Sequence, residues 1–209
     1  MIFIEKIQGN EWEANCYIVH NNSEAIIIDP GCSYNSITSK LSNLKPIAVL
    51  ATHGHYDHII NVSKIQLDYN VPFFIHSDER KLIKHANFYL KLFHIGKTIT
   101  IPVVNKTFSD LDSLNFEFVN LQVIHTPGHT EGSVCFFFDD NLFSGDLFLK
   151  NKIGRIDLPG GNSEKLKNSL KRIVDSFTDI NIYPGHFDAT TLHDQKNNNI
   201  ELIEILKHL

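Results

Sequence analysis

Apolar residues alternate with polar ones, or run together briefly, at 2–7, 16–19 and 25–28. With Asn21-Asn22-Ser23 as a turn between the last two, this pattern predicts an antiparallel opening sheet. Asp29-Pro30-Gly31 stops the third strand, after which Ile37, Leu41 and Leu44 recur at helical spacing. The apolar run 47–51 predicts a further strand. Ile59, Val62, Ile65 and Tyr69 mark a second helical face, 71–75 another strand and 79–85 a short helix, so the first half reads β-α-β-α-β. The stretch 87–93 is aromatic without clean periodicity, and Pro102 breaks any pattern in the residues after it. It reads either as an irregular cap over a substrate cleft or as a loop anchored by Phe and Leu. Strands resume at 114–119, 121–125, 134–138 and 142–144, with Asp139-Asp140-Asn141 as a hairpin turn. Leu166, Leu170, Ile173, Val174 and Phe177 outline an amphipathic helix capped by Ser163, with Glu164 in its first turn. A strand at 180–183 comes next, and Lys196-Asn197-Asn198-Asn199 is a polar break. The closing helix carries the stripes Ile200, Ile203, Leu206 and Leu202, Ile205, Leu209. Sheet-rich halves, each with helices, predict two packed sheets covered on both outer faces.

Composition adds bounds rather than direction. The chain has 209 residues, enough for one sizeable core, so a single domain spanning 1–209 is expected. The formal charge of −5 gives no reason to expect a polyanionic partner, and nucleic acid is not expected as one. The start has neither a basic n-region nor a long apolar core. No run approaches the length of a membrane helix, so a cytoplasmic protein without a membrane partner is expected. Cys16, Cys32 and Cys135 are odd in number, widely spaced and set in apolar surroundings, as suits buried thiols in a reducing compartment.

The chemistry is concentrated in Thr52-His53-Gly54-His55-Tyr56-Asp57-His58, directly after the strand 47–51. Imidazole and carboxylate are both good ligands for zinc and comparable first-row metals, and a cation is the ordinary reason for gathering them. Three further ligand-type residues stand beside glycine at strand ends. They are His129 in His125-Thr126-Pro127-Gly128-His129-Thr130, Asp146 in Phe143-Ser144-Gly145-Asp146, and His186 in Tyr183-Pro184-Gly185-His186.

With that set in place, the sequence resembles the metallo-β-lactamase superfamily over nearly its whole length. The resemblance implies an α/β fold, a four-layer αββα sandwich. It implies a first metal held by His53, His55 and His129, a second held by Asp57, His58 and His186, and Asp146 bridging both. Two divalent ions are implied, zinc first, with iron or manganese compatible with the oxygen donors. A hydroxide between them is the nucleophile, with Asp57 the ligand assigned to catalysis beside it. Because a thiolate leaves with a pKa of about 8.5, a thioester can be cleaved with little help from a general acid, whereas an amide nitrogen needs a proton. The familiar zinc β-lactamases carry cysteine where Asp146 stands, which argues against antibiotic hydrolysis.

The block Gly154-Arg155-Ile156-Asp157-Leu158-Pro159-Gly160-Gly161 is similar to the glyoxalase II and persulfide-dioxygenase branch. It makes a small-molecule thioester such as S-lactoylglutathione the expected substrate. A mononuclear iron persulfide dioxygenase and a lactonase or other ester hydrolase are the alternatives. Arg155 and Asp157 either bind a substrate carboxylate or brace the metal loops, the bracing role being preferred. His186 is followed by Phe187 where the family usually has glycine, which places an aromatic side chain beside a ligand and makes Phe187 a candidate substrate contact. The remaining histidines are read as structural or solvated. The two-domain glyoxalase II enzymes carry a helical C-terminal domain for which the 23 residues after His186 leave no room, so a short, single-domain form is expected.

Overall fold

The computed structural model describes residues 1–9 and 14–207. His208 and Leu209, read above as a structural or solvated histidine and as part of the closing helical stripe, lie outside the described residues. The chain forms two compact units, residues 1–108 and 109–209, each built on a six-stranded sheet. The expected α/β class is the one observed.

In the first unit, β1 (Phe3–Ile7), β2 (Cys16–His20) and β3 (Glu24–Ile28) pair antiparallel. From β3 onward, helices carry the chain over to successive parallel strands. Helix α1 (Tyr34–Lys40) leads to β4 (Lys45–Leu50), and α2 (Tyr56–Ile59) with α3 (Val62–Tyr69) leads to β5 (Phe73–His76). Helices α4 (Arg80–Lys84) and α5 (Ala86–Leu92) precede the edge strand β6 (Lys106–Phe108). Ile18, Ile27, Val49 and Phe73 on the strands bury one face of the sheet with Ile37, Ile65, Ile83 and Leu90 on the helices. The alternate strand residues Val19, Ile26, Ile28, Ala48 and Leu50 are also fully buried, which is why these strands read as apolar runs rather than alternations.

In the second unit, β7 (Ser113–Phe116), β8 (Val119–His125), β9 (Val134–Phe138) and β10 (Asn141–Gly145) form an antiparallel meander. A small hairpin, β11 (Phe148–Leu149) with β12 (Lys152–Ile153), leads to α6 (Ser163–Ser176). That helix crosses to β13 (Asn181–Pro184), parallel to β10, and β14 (Thr190–Thr191) closes the sheet. Helices α7 (Leu192–Asn198) and α8 (Ile200–Lys207) come last. Ile124, Cys135, Leu142 and Ile182 pack with Leu166, Leu170, Ile173, Leu192 and Leu202.

Four expectations are corrected. The stretch 87–93 is helical as α5 instead of irregular, because Ala86 and Leu90 are buried one turn apart. The Asn87 amide also bonds Ile99 in both directions, at 3.0 and 2.9 Å. The turn between β7 and β8 falls at Glu117-Phe118 rather than Asn120, since Phe116 pairs with Val119. Asn162, not Ser163, caps α6: it is extended and accepts the Lys165 N–H at 3.0 Å. The polar run 196–199 is mostly helix α7, because its amides bond within the helix. Asn197 donates to the His193 carbonyl at 2.8 Å and Asn198 to Asp194 at 2.7 Å.

Candidate metal centre

In the first unit the donors hang on the loop that leaves β4 and on α2. Thr52 opens the loop, and its N–H and O–H both donate to the Asp29 carboxylate, each at 2.7 Å. A carboxylate only accepts, so the Thr52 hydroxyl spends its hydrogen there. Its oxygen then takes the Nδ1–H of His53 at 3.1 Å. This fixes the tautomer of His53 and leaves its Nε2 as a lone pair. That Nε2 lies 3.1 Å from Nδ1 of His55. Two nitrogens on one tetrahedral cation with bonds of about 2.0–2.1 Å are about 3.3 Å apart, so the pair is spaced as two ligands of a single ion. The ring of His58, fully buried, sits 4.0 Å from that of His53. Its Nδ1 stands 3.0 Å from Asp29 Oδ2, and its Nε2 is 4.0 Å from Asp57 Oδ2. Asp29 thus orients one candidate ligand through Thr52 and stands beside a second, His58.

Two glycines make this loop possible. A Cβ on Gly31 would lie 1.7 Å from the Asp57 carbonyl oxygen, so the Asp29-Pro30-Gly31 turn is pressed against a candidate ligand's backbone. A Cβ on Gly54 would meet Glu79 Oε2 at 2.8 Å. That buried carboxylate accepts the Gly54 N–H at 2.6 Å and holds the link between His53 and His55.

In the second unit His129, Asp146 and His186 come together. Asp146 Oδ2 is 3.4 Å from His129 Nε2 and 3.7 Å from His186 Nε2. His129 donates Nδ1–H to the Arg155 carbonyl at 2.7 Å, which directs its Nε2 at the carboxylate. Asp146 follows the irregularity between Phe143 and Gly145 in the β10–β13 pairing, where Gly145 takes a φ of 49°. Gly154 is compulsory, since a Cβ there would sit 1.8 Å from the Asp146 carbonyl oxygen.

Of the two candidate substrate contacts, Arg155 turns its guanidinium to Asp157 in a two-pronged pair, 2.6 and 2.7 Å. That hydrogen bond holds the Asp157 carboxyl down at about 2. Phe187 is 52 % exposed, its ring 6.4 Å from that of His186, and its φ of 66° is left-handed. An aromatic residue in the conformation that glycine adopts freely is strained by about 1–2 kcal/mol. Cys16, Cys32 and Cys135 are buried and form no disulfide, and burial pushes the Cys135 thiol up to about 12.

Sequence reasoning missed the supporting residues Thr52, Asp29 and Glu79. Asp29 had a signal, the turn Asp29-Pro30-Gly31. Glu79 had none, because it acts on a backbone amide 25 positions away.

The sequence profile described as the metallo-beta-lactamase superfamily matches residues 9–186. The chain is 30% identical over 191 residues to the probable metallo-hydrolase MJ0888 of Methanocaldococcus jannaschii, covering 88% of this chain and 92% of that one. Among solved structures it is similar to BLEG-1, a B3 metallo-beta-lactamase, at 30% identity and a TM-score of 0.87, covering 96% and 99% of the two chains. It is also similar to TTHA1623 in a di-iron-bound form, at 28% identity and a TM-score of 0.84, covering 95% and 100%.

Proposed function

The chain belongs to the metallo-beta-lactamase superfamily, and on that premise we propose that it is a metal-dependent hydrolase of small thioesters, of the S-lactoylglutathione kind. The observation that carries this reading is Asp146, one of whose oxygens approaches His129 and His186 alike. A carboxylate shared in that way suits a residue that serves two cations. In this proposal His53, His55 and His129 hold the first ion, Asp57, His58 and His186 the second, and Asp146 both. The donor chemistry fits, being nitrogen and oxygen throughout, and the 3.1 Å spacing of His53 and His55 fits a single ion. Zinc is proposed. Iron or manganese suit the carboxylates as well, and the di-iron form of TTHA1623 supports keeping iron in view.

When bound, a pair of divalent cations polarises the carbonyl and brings the pKa of water to about 7. The protein's own residues do the rest. Asp29 and Thr52 keep Nε2 of His53 unprotonated, and the Arg155 carbonyl does the same for His129. Asp57 has the more open side chain of the two ligand carboxylates, 19 % against 11 %, which suits it to orienting the attacking water. A departing thiolate needs no proton, consistent with a donor set that offers no general acid. Phe187, exposed beside His186, is proposed to contact the substrate.

β-Lactam hydrolysis is a second reading, supported by the similarity to BLEG-1. Turnover of S-lactoylglutathione, a chromogenic cephalosporin and a glutathione persulfide by the metal-loaded protein separates the possibilities. Thioester cleavage lost on chelation and restored by zinc, manganese or iron is expected. A fully loaded protein inert to thioesters would overturn the proposal. Oxygen uptake with a single iron per chain would instead mark a persulfide dioxygenase.

A further inference from the structure

Between residues 80 and 108 the chain has six cations, Arg80, Lys81, Lys84, Lys91, Lys97 and Lys106, and no carboxylate, although its net charge is −5. Several lysines elsewhere are paired with carboxylates, as Lys40 with Glu5 at 2.9 Å, Lys167 with Glu164 at 3.1 Å and Lys171 with Asp175 at 3.1 Å. Among the described residues none of the six stands within ion-pair distance of a carboxylate. The same segment exposes Phe88 (60 %), Leu92 (53 %), Phe93 (43 %) and Ile95 (37 %), and all eight residues from 91 to 98 are exposed.

This tip is built to stand out. Helix α5 is anchored on its inner side by Ala86 and Leu90, and Asn87 ties the helix to the returning chain at Ile99. The helix ends in a left-handed turn at His94, φ 55°, closed by the Ile95 N–H on the Leu90 carbonyl at 3.0 Å. The apolar side chains are therefore presented on an ordered scaffold.

A partner must accept large apolar side chains and several unneutralised cations together. We propose that this tip docks the protein onto the surface of an anionic lipid bilayer. Phe88, Leu92, Phe93 and Ile95 enter below the headgroups, while Lys91 and Lys97, in the exposed stretch itself, reach lipid phosphates. A second copy meeting the same face would set cation against cation. A nucleic acid would take the cations but give Leu92 and Ile95 no counterpart. The sequence-level expectation of no membrane partner rested on the lack of a signal-like start and of a spanning run. No helix among the described residues is long and apolar enough to cross a membrane, and surface docking requires none.

The test is sedimentation of the full-length protein with phosphatidylcholine vesicles with and without phosphatidylglycerol. Binding is expected only with phosphatidylglycerol and should weaken as salt is raised. It should fall about fivefold for each of Lys91→Gln and Lys97→Gln, and about tenfold for Phe93→Ser. Lys167→Gln, at a lysine paired elsewhere, should leave it unchanged. All these positions are on the surface, and circular dichroism confirms that the variants fold. No binding to phosphatidylglycerol vesicles would overturn the proposal. So would binding insensitive to Phe93→Ser, or equal affinity for single-stranded RNA, either of which would mark a generic polycation.

Discussion

At the scale of single residues, Asp146 and His186 divide the proposed ligand set most cleanly. Removing Asp146 takes a donor and a balancing negative charge from both ions, whereas removing His186 takes a donor from the second only. Elemental analysis should find Asp146→Ala depleted of both metals and His186→Ala retaining about one per chain. Two metals at unchanged affinity in His186→Ala would refute the assignment. Glu79 acts one step further out. Its bond to the Gly54 N–H fixes the backbone between His53 and His55, so Glu79→Ala should weaken metal binding about 10–100-fold in a chelator competition. Glu79→Gln, which keeps an accepting oxygen, should recover most of that loss. Phe187 makes the opposite kind of case. Relieving its left-handed backbone with Phe187→Gly should raise Tm by about 2–4 °C while raising KM for an apolar acyl thiol. A Tm that falls would mean that its ring contributes more than its backbone costs.

At the scale of elements, α5 depends on a side chain more than on its own sequence. Its apolar positions lack the periodicity that declares a helix, and Asn87 supplies the missing constraint with two bonds to Ile99. Asn87→Ala should speed hydrogen exchange at the Ile99 amide, about tenfold for each kcal/mol and a half lost, without a matching change at Ile27 in the sheet. Strands β2 to β5 were legible because nearly every residue on them is buried, so they appear as apolar runs, while β8 was legible from its alternation of buried and exposed positions. The seven metal-ligand candidates were legible because each lies beside a glycine or in one short cluster. Gly31, Gly54 and Gly154 show why, since ligand backbones or the carboxylate that holds them leave no room for a Cβ. The hidden features were settled by bonds between distant positions or by side chains acting on the backbone. The cap by Asn162 instead of Ser163, the asparagine-rich α7 and the reach of Glu79 to Gly54 are of this type. The first two are pairings three or four positions apart that polar composition obscured, and only the reach of Glu79 leaves no record in local pattern.

At the scale of the whole molecule, each unit has its own apolar core, and the proposed ions draw ligands from the sequence of both. A ligand bound only by the folded chain stabilises it by about 4 kcal/mol at a thousandfold excess over Kd, so chelation should lower Tm as well as stop turnover. The three cysteines make that stability readable from inside. Cys16 and Cys32 lie in the first core region and Cys135 in the second, all buried and none oxidised. A sealed thiol reacts with an alkylating reagent only during the moments when its surroundings open, so each sulfur serves as a clock for its own half of the chain. With metal bound, the two clocks should run at one slow rate. After chelation they should separate, and mass spectrometry of the labelled peptides would report which half opens first.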